Sequence, residues 1–80
     1  MTLKELAMAL IVRNKLAEDT RTCGQPIDVY VADGDIYLVG TVDAEIQRLV
    51  AEELVRGLPG VRQVVDNIRI RQARTVPASA

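Results

Sequence analysis

The stretch VADGDIYLVGTV, residues 31–42, carries the strongest local signal in this 80-residue chain. An Asp-Gly pair set between alternating apolar and polar residues marks a two-residue hairpin loop, because a type I′ turn needs positive φ at both central positions. With Asp33-Gly34 as the turn, Ala32 faces Asp35, Val31 faces Ile36 and Tyr30 faces Tyr37. Upstream, Ile27, Val29 and Val31 alternate with Asp28, Tyr30 and Ala32; downstream, Ile36, Leu38, Gly40 and Val42 alternate with Tyr37, Val39 and Thr41. The register therefore gathers Ile27, Val29, Val31, Ile36, Leu38 and Gly40 on one face, as a one-sided core demands. It leaves Tyr30 opposite Tyr37 on the other face.

Helical patterns lie on both sides of the hairpin. Thr2-Leu3-Lys4-Glu5 fits a capping box, Thr2 being the N-cap and Glu5 the residue three places on. From there the spacing predicts a helix to about Asp19. Leu3, Leu6, Leu10 and Ala17 form one stripe, which Met8, Ile11, Val12 and Leu16 widen. That width implies either deep burial or contact with another chain. Gly24 and Pro26 break the segment that follows. After the hairpin, Asp43 is the expected N-cap of a second helix. Its expected buried stripe is Ile46, Leu49, Val50 and Leu54, and Gly57 is its expected C′ residue.

Leu58-Pro59-Gly60 then turns the chain into a third strand from Val61 to about Arg71. Val64, Ile68 and Ile70 should face the helices, while Val65, Asn67, Arg69 and Arg71 point away. The order is α-β-β-α-β, an α+β fold with two helices packed on one face of a three-stranded mixed sheet. The third strand, reached by a helical crossover, should run parallel to the second. The spatial order of the strands stays open. Residues 1–71 read as a single domain and residues 72–80, without periodic apolar signal, as a disordered tail.

Composition narrows the function. A chain this short buries only about 60–65% of its unfolded surface, so association with a second copy is one route to added stability. The core must come from Leu, Ile, Val and Ala, because Phe and Trp are absent and there are two Tyr. The net charge of −1 argues against a general nucleic-acid binder. Charge is uneven, however: residues 27–58 carry two basic and seven acidic side chains, residues 59–80 four and one. No secretory signal or membrane span is visible, since the longest apolar run, Ala7–Val12, is short and flanked by charge. Together with the single cysteine, this reads as a cytoplasmic protein.

The hairpin and third strand resemble a BON domain, the small bacterial module named after osmotically induced and nodulation proteins. Asp33, Gly34, Ile36, Leu38, Gly40 and Val42 fit its D-G-x-(apolar)-x-L-x-G-x-V hairpin. Gly60, Val61, Val64, Asn67, Ile68 and Ile70 fit its closing G-V-x-x-V-x-N-x-I-x-(apolar) pattern. The resemblance spans roughly residues 3–71. It implies a non-catalytic α+β module that acts by binding, phospholipid surfaces being the usual proposal, in stress-related bacterial settings. Many relatives carry two copies or an export signal; this sequence has a single copy and no visible signal.

Other candidate sites fare less well. Asp33 and Asp35, with Asp28, form an acidic tip, but the spaced ligand order of an EF-hand is absent, so no metal is expected. Gly57-Leu58-Pro59-Gly60 matches the GxxG of KH modules in letters only, since it joins a helix to a strand and contains Leu and Pro. Cys23 has no histidine anywhere to activate it. With no His, nucleophile motif or phosphate loop, neither catalysis nor a cofactor is expected.

Arg62, Arg69, Arg71 and Arg74 make a basic edge that could meet anionic headgroups. Tyr30, Tyr37, Val39 and Val65 should share the sheet face that no helix covers, a candidate surface for a partner or for self-association into a homodimer or higher oligomer. The resulting expectation is a binding module docking on a protein partner or an anionic phospholipid surface. The alternatives are a small-solute or cation sensor and a purely structural oligomerisation unit.

Overall fold

A computed structural model describes residues 2–71, so the expected disordered tail at 72–80 lies outside the described residues. Its elements are α1 (Leu3–Glu18), β1 (Ile27–Ala32), β2 (Asp35–Val42), α2 (Glu45–Arg56) and β3 (Gln63–Ile70). The expected order holds, and the sheet runs β1-β2-β3 with β2 in the centre. β1 and β2 are antiparallel in the expected register, Tyr30 pairing with Tyr37. β3 is parallel to β2, with Tyr37 beside Val65 and Val39 beside Asn67. Both helices cover one face, and between them and the sheet lie Val12, Leu16, Val29, Val31, Ile36, Leu38, Val42, Ala51, Val55 and Ile68.

The turn has the backbone its sequence calls for: Asp33 at φ 53° and Gly34 at φ 84°. It is tied down on two sides. The Glu5 carboxylate accepts from the Asp33 N–H at 3.0 Å, and the Gly34 carbonyl accepts from the Arg62 N–H at 2.8 Å. Thus one hairpin tip links α1, β1, β2 and the start of β3. At the other end Gly40 allows the chain before β1 to lie close: a Cβ there would sit 2.0 Å from the Pro26 carbonyl oxygen.

Both termini of α1 are satisfied by side chains. Glu5 N–H donates to Thr2 Oγ1 at 3.1 Å and Thr2 N–H to Glu5 Oε1 at 2.9 Å, the expected capping box. At the far end, buried Thr22 donates its hydroxyl to the Leu16 carbonyl at 2.6 Å, satisfying one of the carbonyls a helix end leaves free.

The structure corrects the helix faces. In α1 the core side is Ala9, Val12 and Leu16 with Met8 alongside, while Leu3, Leu6, Leu10 and Ala17 of the expected stripe are exposed. In α2 the core side is Val50, Ala51 and Val55, and Ile46 and Leu49 are exposed. The physical reason is common to both. The core side of each helix contains a small buried residue, Ala9 or Ala51, that allows close packing on the sheet. In α2 the expected Val50 and Leu54 do meet the core, and its face is rotated toward Ala51 and Val55.

Three boundaries also shift. Ala44, not Asp43, is the N-cap of α2. Gln47 reaches back to accept from the Asp43 and Ala44 N–H groups at 2.8 and 2.9 Å, and the Asp43 carboxylate pairs instead with Arg71. Gly57 is the C-cap with an ordinary φ of −78°, so the left-handed residue of this connection is Gly60. β3 begins at Gln63 rather than Val61.

Gly40→Ala should destabilise the domain by about 2–4 kcal/mol, because the clash is with backbone that cannot rotate away. Urea denaturation at constant m-value measures this; a loss under about 0.5 kcal/mol would contradict the close approach.

Candidate functional site

Two surfaces stand out, on opposite sides of the molecule. The first is the uncovered sheet face. Alternation along each strand places residues there in rows: Ala32, Asp35 and Gln63; Tyr30, Tyr37 and Val65; Asp28, Val39 and Asn67; then Thr41 and Arg69. Tyr30 is 52% and Val39 38% exposed, whereas Tyr37 and Val65 are half-buried by their neighbours. The expected group Tyr30, Tyr37, Val39 and Val65 is therefore brought together, with Asn67 and Arg69 exposed beside it. Arg71 differs from expectation in being engaged, through its pair with Asp43 and a 2.6 Å bond from its N–H to the Val42 carbonyl. Among the described residues the basic edge thus reduces to Arg69, Arg62 being engaged as well; Arg74 lies outside them.

The acidic tip is divided. Asp33 is exposed, while Asp35 is buried with Arg62 Nε 3.1 Å from its Oδ1. The guanidinium N–H is not aimed along that line, so the contact is an ion pair rather than a hydrogen bond. Among the described residues no group of three or more His, Cys, Asp or Glu is placed to hold a metal ion.

The second surface is the outer side of α1. Leu3 is 84%, Leu6 47%, Leu10 54% and Ile11 49% exposed. Helical spacing places Leu3, Leu10 and Ile11 away from Ala9, Val12 and Leu16, with Leu6 at the margin; the exposed Asn14 and Glu18 fall in the same arc. Lys4 and Lys15 flank the stripe on one edge and Arg13 on the other, and all three are exposed. Among the described residues none of the three forms an ion pair; the pairs present are Arg21–Asp19, Arg48–Glu45, Arg48–Asp66, Arg56–Glu52, Arg62–Asp35 and Arg71–Asp43. The stripe was visible in the sequence as excess apolar width. The free cations beside it could have been found by the same wheel.

Two shallow hollows lie nearby. One, of about 400 Å³, is lined by Thr2, Lys4, Glu5, Met8, Asp33 and Gly60. The other, of about 330 Å³, runs along α2 past Ile46, Leu49, Glu53 and Arg21. Neither collects groups that suggest a reaction. Glu5 is held below its usual value, first by the Thr2 backbone bond and then by that of Asp33, so it is a structural anion.

Near α2, the Arg21 side-chain and backbone hydrogen bonds lower Asp19 from 3.8 to about 2. A depressed carboxylate contributes stability that is complete above its unfolded value and lost as pH falls through its folded value. Arg21→Ala should therefore return the Asp19 titration, followed by carboxyl ¹³C NMR, toward 3.8, and remove its share of the stability loss between about pH 4 and pH 2.

The described residues form a small two-layer domain with apolar side chains exposed on both outer surfaces. The sequence matches the BON domain over residues 6–72, and the chain belongs to the BON domain family. No curated protein matches it. Among solved structures it is similar to the C-terminal domain of CdsD, described as the structural protein of the type III secretion system of Chlamydia trachomatis. The TM-score is 0.66 and the identity 20%, with 85% of this chain and 34% of that chain covered. This chain thus spans about a third of that structure's length, and the likeness is one of fold. No described helix is long and apolar enough to cross a membrane.

Proposed function

We propose that this BON domain docks on an anionic phospholipid surface through the outer side of α1. The observation that carries the reading is the pairing of Leu3, Leu6, Leu10 and Ile11, each about half exposed or more, with Lys4, Arg13 and Lys15 at the edges, which have no ion-pair partner among the described residues. A helix with an apolar face and flanking cations lies in the plane of an interface, its apolar side among the acyl chains. Three cations close to such a surface contribute about 3 kcal/mol together. Partial immersion of four aliphatic side chains adds a comparable amount. The result is reversible attachment.

The alternative basic edge on β3 supports docking less well, since Arg62 and Arg71 are already paired with Asp35 and Asp43. Among the described residues Arg69 alone remains there.

Co-sedimentation with vesicles tests the reading. Binding is expected to vesicles rich in phosphatidylglycerol at low salt, and should fall as salt screens the cations. Leu6→Ser combined with Leu10→Ser should weaken it about tenfold or more while leaving the fold intact, because both side chains are outside the core. Absence of wild-type binding at low salt would remove the membrane target and leave a protein partner as the occupant of the stripe.

A further inference from the structure

We infer that the uncovered sheet face is the contact surface of a two-fold dimer, in which β1 of one copy lies over β3 of the other. Across the face, β1 carries Asp28, Tyr30 and Ala32, β2 carries Asp35, Tyr37, Val39 and Thr41, and β3 carries Gln63, Val65, Asn67 and Arg69. The acidic end is on one edge strand and the basic end on the other. Asp28 and Arg69 are both exposed, and neither has an ion-pair partner among the described residues.

A two-fold axis running along β2, midway between two stacked sheets, exchanges the edges while keeping every row at its own height. Tyr30 then lies over the partner's Val65, Tyr37 over the partner's Tyr37, and Val39 over the partner's Val39. A ring opposes an aliphatic side chain at both outer positions, which suits the roughly 10 Å spacing of packed sheets. Asp28 lies over the partner's Asn67, and the partner's Arg69 is the next residue along the same face, within reach of its long side chain. The same contact occurs twice, as an isologous interface requires.

The other in-plane axis, perpendicular to the strands, stacks β3 on β3. It sets Arg69 over the partner's Gln63 beside Asp35, and that acid is buried and already paired with Arg62. The charge pattern therefore selects the axis along β2.

Size sets the strength. Three strands and four rows give a contact of roughly 300 Å² per copy, well below the ~800 Å² of a tight complex. Association is therefore expected to be weak, with a dissociation constant of about 0.1–1 mM. Wild-type protein should be monomeric at about ten micromolar and substantially dimeric near a millimolar. The α1 stripe is on the other side of the molecule, so this inference stands or falls separately from membrane docking.

Sedimentation velocity on the full chain, with charge-reversed variants, tests the arrangement. Asp28→Arg alone and Arg69→Asp alone should each weaken self-association about tenfold, by setting like charges across the contact. Mixing the two variants should restore wild-type association as a heterodimer, because each then meets the opposite charge at both positions. Both sites are exposed, so circular dichroism should be unchanged. A wild-type monomer near a millimolar would overturn the inference. Single variants that dimerise like wild type would do the same, as would a mixture that fails to recover. Dimerisation abolished by Leu6→Ser with Leu10→Ser would move the contact to the helix layer.

Discussion

The parity of β2 is the constraint on which the rest of the structure depends. As the central strand it pairs on both sides, so the assignment of one of its residues to the core face fixes the faces of β1 and β3 as well. Ile36, Leu38 and Val42 are fully buried, and their alternates Tyr37, Val39 and Thr41 are not. A slip of one residue would exchange these sets and put a threonine and a tyrosine hydroxyl into an aliphatic core. The Asp33-Gly34 turn and the backbone contact at Gly40 exclude that slip from opposite ends of the strand.

This explains why the sheet was legible in the sequence and the helices only partly so. In a strand the period of two leaves a binary choice, and the two-residue turn settles it. A helix wheel gives a continuous angle, and α1 has apolar residues on both sides of it. Spacing showed Leu3, Leu6 and Leu10 to be aligned, but it could not tell whether that line faced the sheet. The deciding quantity is three-dimensional. Ala9 and Ala51 allow close approach, and the value of a small residue depends on what it lies against. Alanine weighs little in a hydrophobicity count, so such a count favours the bulkier residues.

The polar contacts were least legible because they join residues far apart in the chain. Arg48 of α2 reaches Asp66 of β3 at 3.3 Å, and Asp66 is on the helix-facing side of its strand among Val64, Ile68 and Ile70. An isolated acid at a core parity signals a partner without naming it. Asp43 shows the converse. Local sequence offered it a capping role, and Gln47 together with Arg71 gave its backbone and carboxylate other partners. Similarly, Asp33 and Asp35 are neighbours in sequence but separated by the turn, so one is solvated and the other buried against Arg62.

A two-layer domain has two outer surfaces, and here both retain apolar side chains. The reasons differ. On the sheet side a three-stranded face must stay open unless another layer covers it, and Tyr30 with Tyr37 gives that face area without an aliphatic core. On the helix side nothing in the packing requires Leu3, Leu6 or Leu10, since the core contacts of α1 are complete without them. Solvent-facing helix positions favour polar residues, and a leucine there adds nothing to the monomer beyond its helix propensity. Four such positions on α1, bordered by cations that form no ion pair among the described residues, are consistent with a surface shaped by contact outside the monomer. The surplus over folding need is what distinguishes the α1 stripe from ordinary exposed apolar area.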